Sequence, residues 1–441
     1  MPRKFYSRLL VCTMSLIFFT RISAQQKIAA GDWLFSVDYF GNQFYQTINL
    51  SWDAGILVAK YIGDSSKLIC TSFGNNILLK NTQPDSSYDS FKGVLNGEEG
   101  SGKFISYNAF VKDSTISTWK ARRLNSQPPQ KPHRIEFVPT SFQRAFSSAV
   151  KPVLTVWPKD TVHTESVDAG GYDKNGVTRV MGGNPLTGPF YVETALPGDV
   201  LAITITRLRL NRSWALSGEV LVDRVVTYDY AQKIKPTYES VKWNLDLVKG
   251  TASPAKPHDH MKNFSVPVKP MLGCVGLAPG FGSPPIRTGD SGPFGGNMDF
   301  NMIGEGATVY LPVRQPGALL YLGDAHALQG DGELTGDALE TSMDIEFAVD
   351  VIKGDKVSLS APRVENADYI MAVGLSGSLD VAIKESTSEL AAWLEHDYKL
   401  KPEETAQVLG TCIEYNIGEV ADRNVGVVAK IRKKRLADLH Q

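Results

Sequence analysis

Asp324, His326, Asp331 and Glu333 fall at i, i+2 spacings within residues 323–333, which read Gly-Asp-Ala-His-Ala-Leu-Gln-Gly-Asp-Gly-Glu. Carboxylate oxygens and an imidazole nitrogen together suit a divalent metal, zinc before others, and the same groups can move protons. The segment follows the apolar run 318–322, Ala-Leu-Leu-Tyr-Leu, short enough to be one buried strand. Side chains on a strand alternate, so Leu320, Leu322, Asp324 and His326 are expected on one face, with apolar packing giving way to ligands at the strand's end. The glycines let backbone approach a small ligand closely. The plain alternative is a Gly/Asp surface loop. A charged cluster directly after a buried strand favours the functional reading.

Asp299 follows Gly295-Gly296-Asn297-Met298 and precedes another apolar stretch, so glycine-permitted curling would aim Asn297 and Asp299 inward. A turn held by its own Asn and Asp is the competing reading. The 7 histidines give few other candidates. His258-Asp259-His260 could pair two imidazoles on a strand face, but Pro254, Lys256 and Pro257 flank it, and a polar loop fits as well. His133 and His440 lie at edges. No GxSxG elbow or phosphate-binding loop occurs, and residues 98–102, Glu-Glu-Gly-Ser-Gly, have the wrong glycine spacing for an elbow.

Several short motifs in order resemble the acetamidase/formamidase family. They are residues 168–171 (Asp-Ala-Gly-Gly), 183–189 (Gly-Asn-Pro-Leu-Thr-Gly-Pro) and 197–199 (Pro-Gly-Asp). Then come 270–279 (Pro-Met-Leu-Gly-Cys-Val-Gly-Leu-Ala-Pro), 292–299, 311–313, 316–318 and the 323–333 loop. The resemblance covers nearly everything after about residue 132. It implies a mainly β, sandwich- or barrel-like fold with C-terminal helices. It also implies an enzyme that hydrolyses a small amide to a carboxylate and ammonia with metal help. On that reading, Asp324, His326, Asp168 and Asp299 hold the metal, zinc first and calcium as the alternative. Glu333 or Asp331 is the base, and Asn297, whose side chain both donates and accepts, orients the amide. His163 lies in a family-like block near Asp168 and is a further ligand candidate. Two other readings stand beside this one. The first is a binding or substrate-shifted member taking a lactam, a longer amide or a cell-wall amide. The second is a calcium-stabilised scaffold, although the loop lacks the alternating oxygen ligands of an EF-hand.

The elements that must position these residues are strands. The 441 residues are 42% hydrophobic and 21% charged, a globular composition, and 39 Gly with 24 Pro point to many turns. A net charge of -1 gives no bulk attraction to nucleic acid. Residues 1–24 read as a signal peptide: Arg3, Lys4 and Arg8, a short apolar stretch, then Ile22-Ser23-Ala24 before Gln25. The stretch is too short for a comfortable membrane span, so the expectation is a secreted or periplasmic protein without stable membrane insertion. Cys70, Cys274 and Cys412 form no CxxC pair or disulfide framework. Residues 27–123 read as a small all-β domain, with Trp33, Phe35, Val37 and Tyr39 alternating. Residues 124–132 read as a proline-rich linker, and residues 133–441 as the family-like domain. Helices are expected after residues 386–388 and from Pro402. The sequence sets no oligomeric state and leaves a homo-oligomer open.

Overall fold

The computed structural model describes residues 28–62, 66–124, 131–237, 239–354 and 356–439. The expected signal peptide, most of the expected linker and His440 lie outside them.

The described residues of 31–123 build one eight-stranded antiparallel sheet in which the first and last strands pair. Strand Gly31–Tyr39 is central, paired with Asn42–Asp53 on one side and Asp113–Arg123 on the other. Trp33, Phe35 and Val37 alternate inward, as their spacing predicts, and pack with Ile48, Leu50, Phe91 and Trp119 in a core of their own. Two strands, Asn76–Thr82 and Tyr88–Asn96, escaped the sequence reading. The second mixes Asp, Ser, Lys and Gly among its apolar residues and shows little alternation. Its Gly93 is required by packing, since a Cβ there would lie 2.5 Å from the Trp119 ring.

The rest of the chain forms two larger sheets face to face, with short helices at the end, in keeping with the expected sandwich-like fold. One sheet runs from Glu414–Ile417 through Val200–Leu210 and Met343–Ile352 to Arg134–Glu136. The other contains Trp214–Ser217, Glu340–Thr341, Leu320–His326 and Met271–Leu277. Between them, Ile203, Ile205, Ile345 and Phe347 meet Leu272, Val275, Leu320 and Leu322 in the main core. Met343–Ile352 shows the underlying rule: Met343, Ile345, Phe347 and Val349 are buried, and the even positions Asp344 and Glu346 face partly outward.

Helix Leu379–Asp397 begins well before the expected point, because the Ser378 hydroxyl accepts from the Val381 N–H and starts it. Ser386 and Thr387 therefore lie mid-helix, where both hydroxyls donate back to the Ile383 carbonyl. The helix packs Leu390, Trp393 and Leu394 onto strands Tyr369–Ser376 and Val425–Arg432. Helix Pro402–Cys412 follows, with Glu404 accepting from the Lys401 N–H. No helix among the described residues is long and apolar enough to cross a membrane.

Candidate active site

Strand Leu320–His326 carries the site to its neighbours by pairing on both sides. Met271 stands opposite His326 on one side, and Glu340 stands opposite it on the other. Strand Gly295–Asn297 pairs with the 271–277 strand and delivers Asp299 just beyond its end. Asp299, Asp324, His326, Glu333 and Glu340 are all buried. Measured from His326 Nε2, the nearest oxygens are Glu340 Oε1 at 3.0 Å, Asp324 Oδ1 at 3.7 Å, and Asp299 Oδ1 and Glu333 Oε1 at 4.0 Å. Four carboxylates thus surround one imidazole.

The cluster is held from outside by amides. Asn297 Nδ2 donates to Asp299 Oδ2 at 2.5 Å and to Asp422 Oδ2 at 2.8 Å. Asn184 Nδ2 donates to Asp324 Oδ2 at 3.0 Å and to Asn297 Oδ1 at 3.2 Å. Each aspartate therefore has one oxygen clamped. Gln329 Nε2 donates to the carbonyls of Asp299 and Gly418, which can only accept, so its Oε1 faces His326 Nδ1 at 2.8 Å. That fixes the proton on Nδ1 in the neutral imidazole and aims the Nε2 lone pair inward, a usual arrangement behind a metal-binding histidine.

What remains points to a ligand. Asp299 Oδ1, Asp324 Oδ1, His326 Nε2 and Glu340 Oε2 are buried with no hydrogen-bond partner. Buried polar atoms are rarely left so. Asp299, His326 and Glu333 form one group with ligand atoms close enough to share an ion, and Asp324, His326 and Glu340 form a second. Gly273 faces the same point: a Cβ there would lie 2.3 Å from Asp299 Oδ1 and 2.7 Å from Asp324 Oδ2. The donor set, one nitrogen among carboxylate oxygens, fits a divalent metal ion.

Backbone strain gathers at the same place. Asn184, Asp299, Asp324 and Glu333 have φ of 52°, 41°, 52° and 48°, in the left-handed region that residues with a Cβ seldom occupy. Such strain persists only where surrounding structure enforces it, and it concentrates at functional sites.

Electrostatics agree. Burial, then Asp324, pushes the Asp299 carboxyl well above its ordinary range. Burial, then Asp299, does the same to Glu333. Burial raises Glu340 to about 7, against the pull of His326. Burial pulls His326 down, but Glu340 and Asp324 outweigh it and hold the imidazole well above its usual value. The cluster attracts positive charge, whether a proton or a metal ion.

Four of the residues expected at the site meet here: Asp324, His326, Asp299 and Glu333. Asp168 does not join them. Its Oδ2 receives Arg212 Nη2 at 2.6 Å and its Oδ1 receives the Tyr172 N–H, so neither oxygen is free for a metal. Arg212 in turn donates to the Glu340 carbonyl and to Thr341 Oγ1, so Asp168 acts through Arg212 to place Glu340. Asp331 also lies outside: it is exposed, and Asn301 and Asn416 bind its two oxygens. Asn297 is at the site, but its amide is spent on Asp299, Asp422 and Asn184 and positions carboxylates instead of facing a substrate. His163 lies on the outer face of the other sheet, bound by Glu136 and Asp344. Sequence reasoning missed Glu340, Gln329, Asn184 and Asp422. Asn184 and Gln329 stand in motifs already noted; Glu340 and Asp422 had no local signal, because cross-strand or loop contacts bring them in.

A cleft of about 680 Å³ opens onto Glu333 and Gln329, walled by Trp243, Phe264 and Leu334.

The model of the acetamidase/formamidase family matches residues 281–387, the stretch that holds Asp299, Asp324, His326, Glu333 and Glu340. Over that stretch the chain is similar to the acetamidase/formamidase family. A putative formamidase of Schizosaccharomyces pombe is 27% identical over 248 residues, 44% of this chain. That match spans 60% of the relative's own length. Among solved structures, a predicted acetamidase/formamidase of Thermoanaerobacter tengcongensis is 28% identical with a TM-score of 0.59. It covers 70% of this chain and 98% of its own. An acetamidase of Yersinia enterocolitica is likewise 28% identical, with a TM-score of 0.60, covering 70% of this chain and 94% of its own.

Proposed function

We propose that this chain is an amidase that hydrolyses the C–N bond of a linear primary amide, giving a carboxylate and ammonia at the buried cluster. The observation that carries the reading is the convergence of unpartnered Asp299 Oδ1, Asp324 Oδ1 and His326 Nε2 beside Glu333, which itself lines the cleft. The names of the relatives supply the substrate class.

An amide carbonyl is a poor electrophile, and water near neutral pH is a poor nucleophile. A metal ion held by Asp299, Asp324, His326 and Glu340 would polarise the carbonyl and lower the pKa of bound water toward ~7. Asn297 and Asn184 keep the aspartates aimed, and Gln329 keeps His326 in the ligating tautomer. Glu333 stands at the boundary between cluster and cleft. Burial and the neighbouring carboxylates raise its proton affinity, which suits it to accept the proton of the attacking water. It then passes that proton to the departing nitrogen. The histidine nitrogen in the donor set favours zinc over calcium, which prefers oxygen alone.

The test is ammonia release from a panel of primary amides, with metal content measured on the same preparations. His326→Ala is expected to lose bound metal. Glu333→Gln is expected to keep its fold and lose about 10²–10⁴-fold in rate. Wild-type rates in both variants would remove the cluster from the reaction.

A further inference from the structure

The cleft at Glu333 is larger and more apolar than acetamide requires. Acetamide has four non-hydrogen atoms and fills at most ~120 Å³, allowing each the ~30 Å³ share of a water molecule. The cleft holds about 680 Å³. Clefts of that size accommodate ring-containing ligands.

Its walls are specific. Strand Val241–Asp246 contributes Trp243, whose indole N–H donates to Ser217 Oγ at 3.0 Å, which fixes the ring. Phe264 meets it edge to face, with centroids 6.2 Å apart. Phe264 and Leu334 are 45% and 41% exposed, and both line the cleft. Large side chains left open around a concavity mark a binding surface. Leu334 is the residue after Glu333, so apolar wall begins where the reacting groups end. Besides Glu333, the lining carries Glu219, Glu239 and Asp337 with Lys242, Lys256 and His258, charges of both signs that favour no single ionic group.

We propose that the preferred substrate is a primary amide with an uncharged aromatic acyl group, seated between Trp243, Phe264 and Leu334 with its amide at Glu333. This rests on the amidase reading above. Water supplies the oxygen of the new C–O bond as the C–N bond breaks, and nitrogen leaves as ammonia with the proton from Glu333. The aromatic group makes no bond and contributes binding alone.

The experiment uses the full chain, measuring ammonia release from acetamide and 3-phenylpropanamide and calorimetric binding of acetate and 3-phenylpropanoate. The expected result is kcat/KM at least about tenfold higher for the aromatic amide, the scale of discrimination a hydrophobic pocket gives. Binding of 3-phenylpropanoate but not acetate is expected beside it. Phe264→Ala should collapse the ratio between the amides, chiefly through KM, and weaken 3-phenylpropanoate. Its partial exposure leaves the fold little dependent on it, and Trp243→Phe serves as a second variant that retains a ring. Acetamide cleaved as well as or better than the aromatic amide would overturn the substrate class and leave the amidase reading intact. A ratio unmoved by Phe264→Ala would also overturn it. No ammonia from either amide would overturn the amidase reading and this proposal together.

Discussion

Gly273→Ala isolates the space at the centre of the cluster. Gly273 lies on strand Met271–Leu277 outside the left-handed region, so its backbone accepts alanine and the perturbation is one methyl group. That Cβ would stand 2.3 Å from Asp299 Oδ1, 2.7 Å from Asp324 Oδ2 and 3.0 Å from His326 Cε1. The closest approach is about 1 Å inside ordinary van der Waals contact. Asp299 Oδ2 and Asp324 Oδ2 are tied to Asn297 and Asn184, so neither carboxylate can retreat without breaking its clamp. Metal–ligand distances tolerate only about 0.2 Å, and loss of a ligand's outer partner alone costs about 10–100-fold in affinity. Two displaced ligands should weaken binding by at least about 100-fold. Overpacking should also cost about 1–3 kcal/mol of stability, which the melting experiment reads separately. Metal content by mass spectrometry, affinity by competition with a chelator, and thermal melting without added metal separate the effects. A folded variant with little metal and little activity is expected. A folded Gly273→Ala protein with wild-type metal affinity would refute the reasoning, because the gap would then not be a ligand's place.

Asp168→Asn should destabilise by about 3–5 kcal/mol, since both members of its pair with Arg212 are 1% exposed and Arg212 would be left without a countercharge. At saturating metal the folded fraction should keep its stoichiometry but bind about 10–100-fold more weakly, because Arg212 no longer holds Glu340 in place, and a lost stoichiometry without destabilisation would restore Asp168 as a ligand. Glu136 raises the pKa of His163 and Asp344 adds to that against burial, so the folded value exceeds the unfolded one. The stabilisation is then fully present below the unfolded pKa near ~6.5 and lost as pH rises through the raised folded value. The melting-temperature gap between wild type and His163→Gln should therefore be largest near pH 6 and shrink in alkaline buffer; a gap that widens with pH contradicts it. N-terminal sequencing of exported material is expected to begin at Gln25, and an intact Met1 would contradict export by a cleaved signal.

Much of this candidate site was legible because several of its residues are local. Asp324 and His326 follow an apolar strand at period two, and Asp299 and Glu333 sit beside glycines that announce tight backbone. The clusters that failed to form are instructive. Asp168 lay in a family-like motif, but sequence cannot show that Arg212, 44 residues on, would take its oxygen. Asp331 has the same loop, charge and spacing as Glu333, yet it turns outward. The difference is the left-handed φ of Glu333, which redirects the chain after Gly332. Strand Tyr88–Asn96 was hidden by its polar residues and by Gly93, which the neighbouring Trp119 ring requires.

Glu340 shows why the missing part was missing. Its own segment, Asp-Ala-Leu-Glu, carries no metal-ligand spacing, and it reaches the cluster only because the register sets it opposite His326. That register has a physical guarantor. Buried Arg212 stacks 3.5 Å from the Trp214 ring, binds Asp168, and donates to the Glu340 carbonyl and Thr341 hydroxyl. One buried cation thus joins the 168–171 turn to the edge of the cluster. A buried guanidinium tolerates few alternative partners, so a slipped register would leave it unsatisfied. Asp168 matters to the site without touching it: it fixes Arg212, Arg212 fixes the strand bearing Glu340, and Glu340 completes the acidic ring around His326.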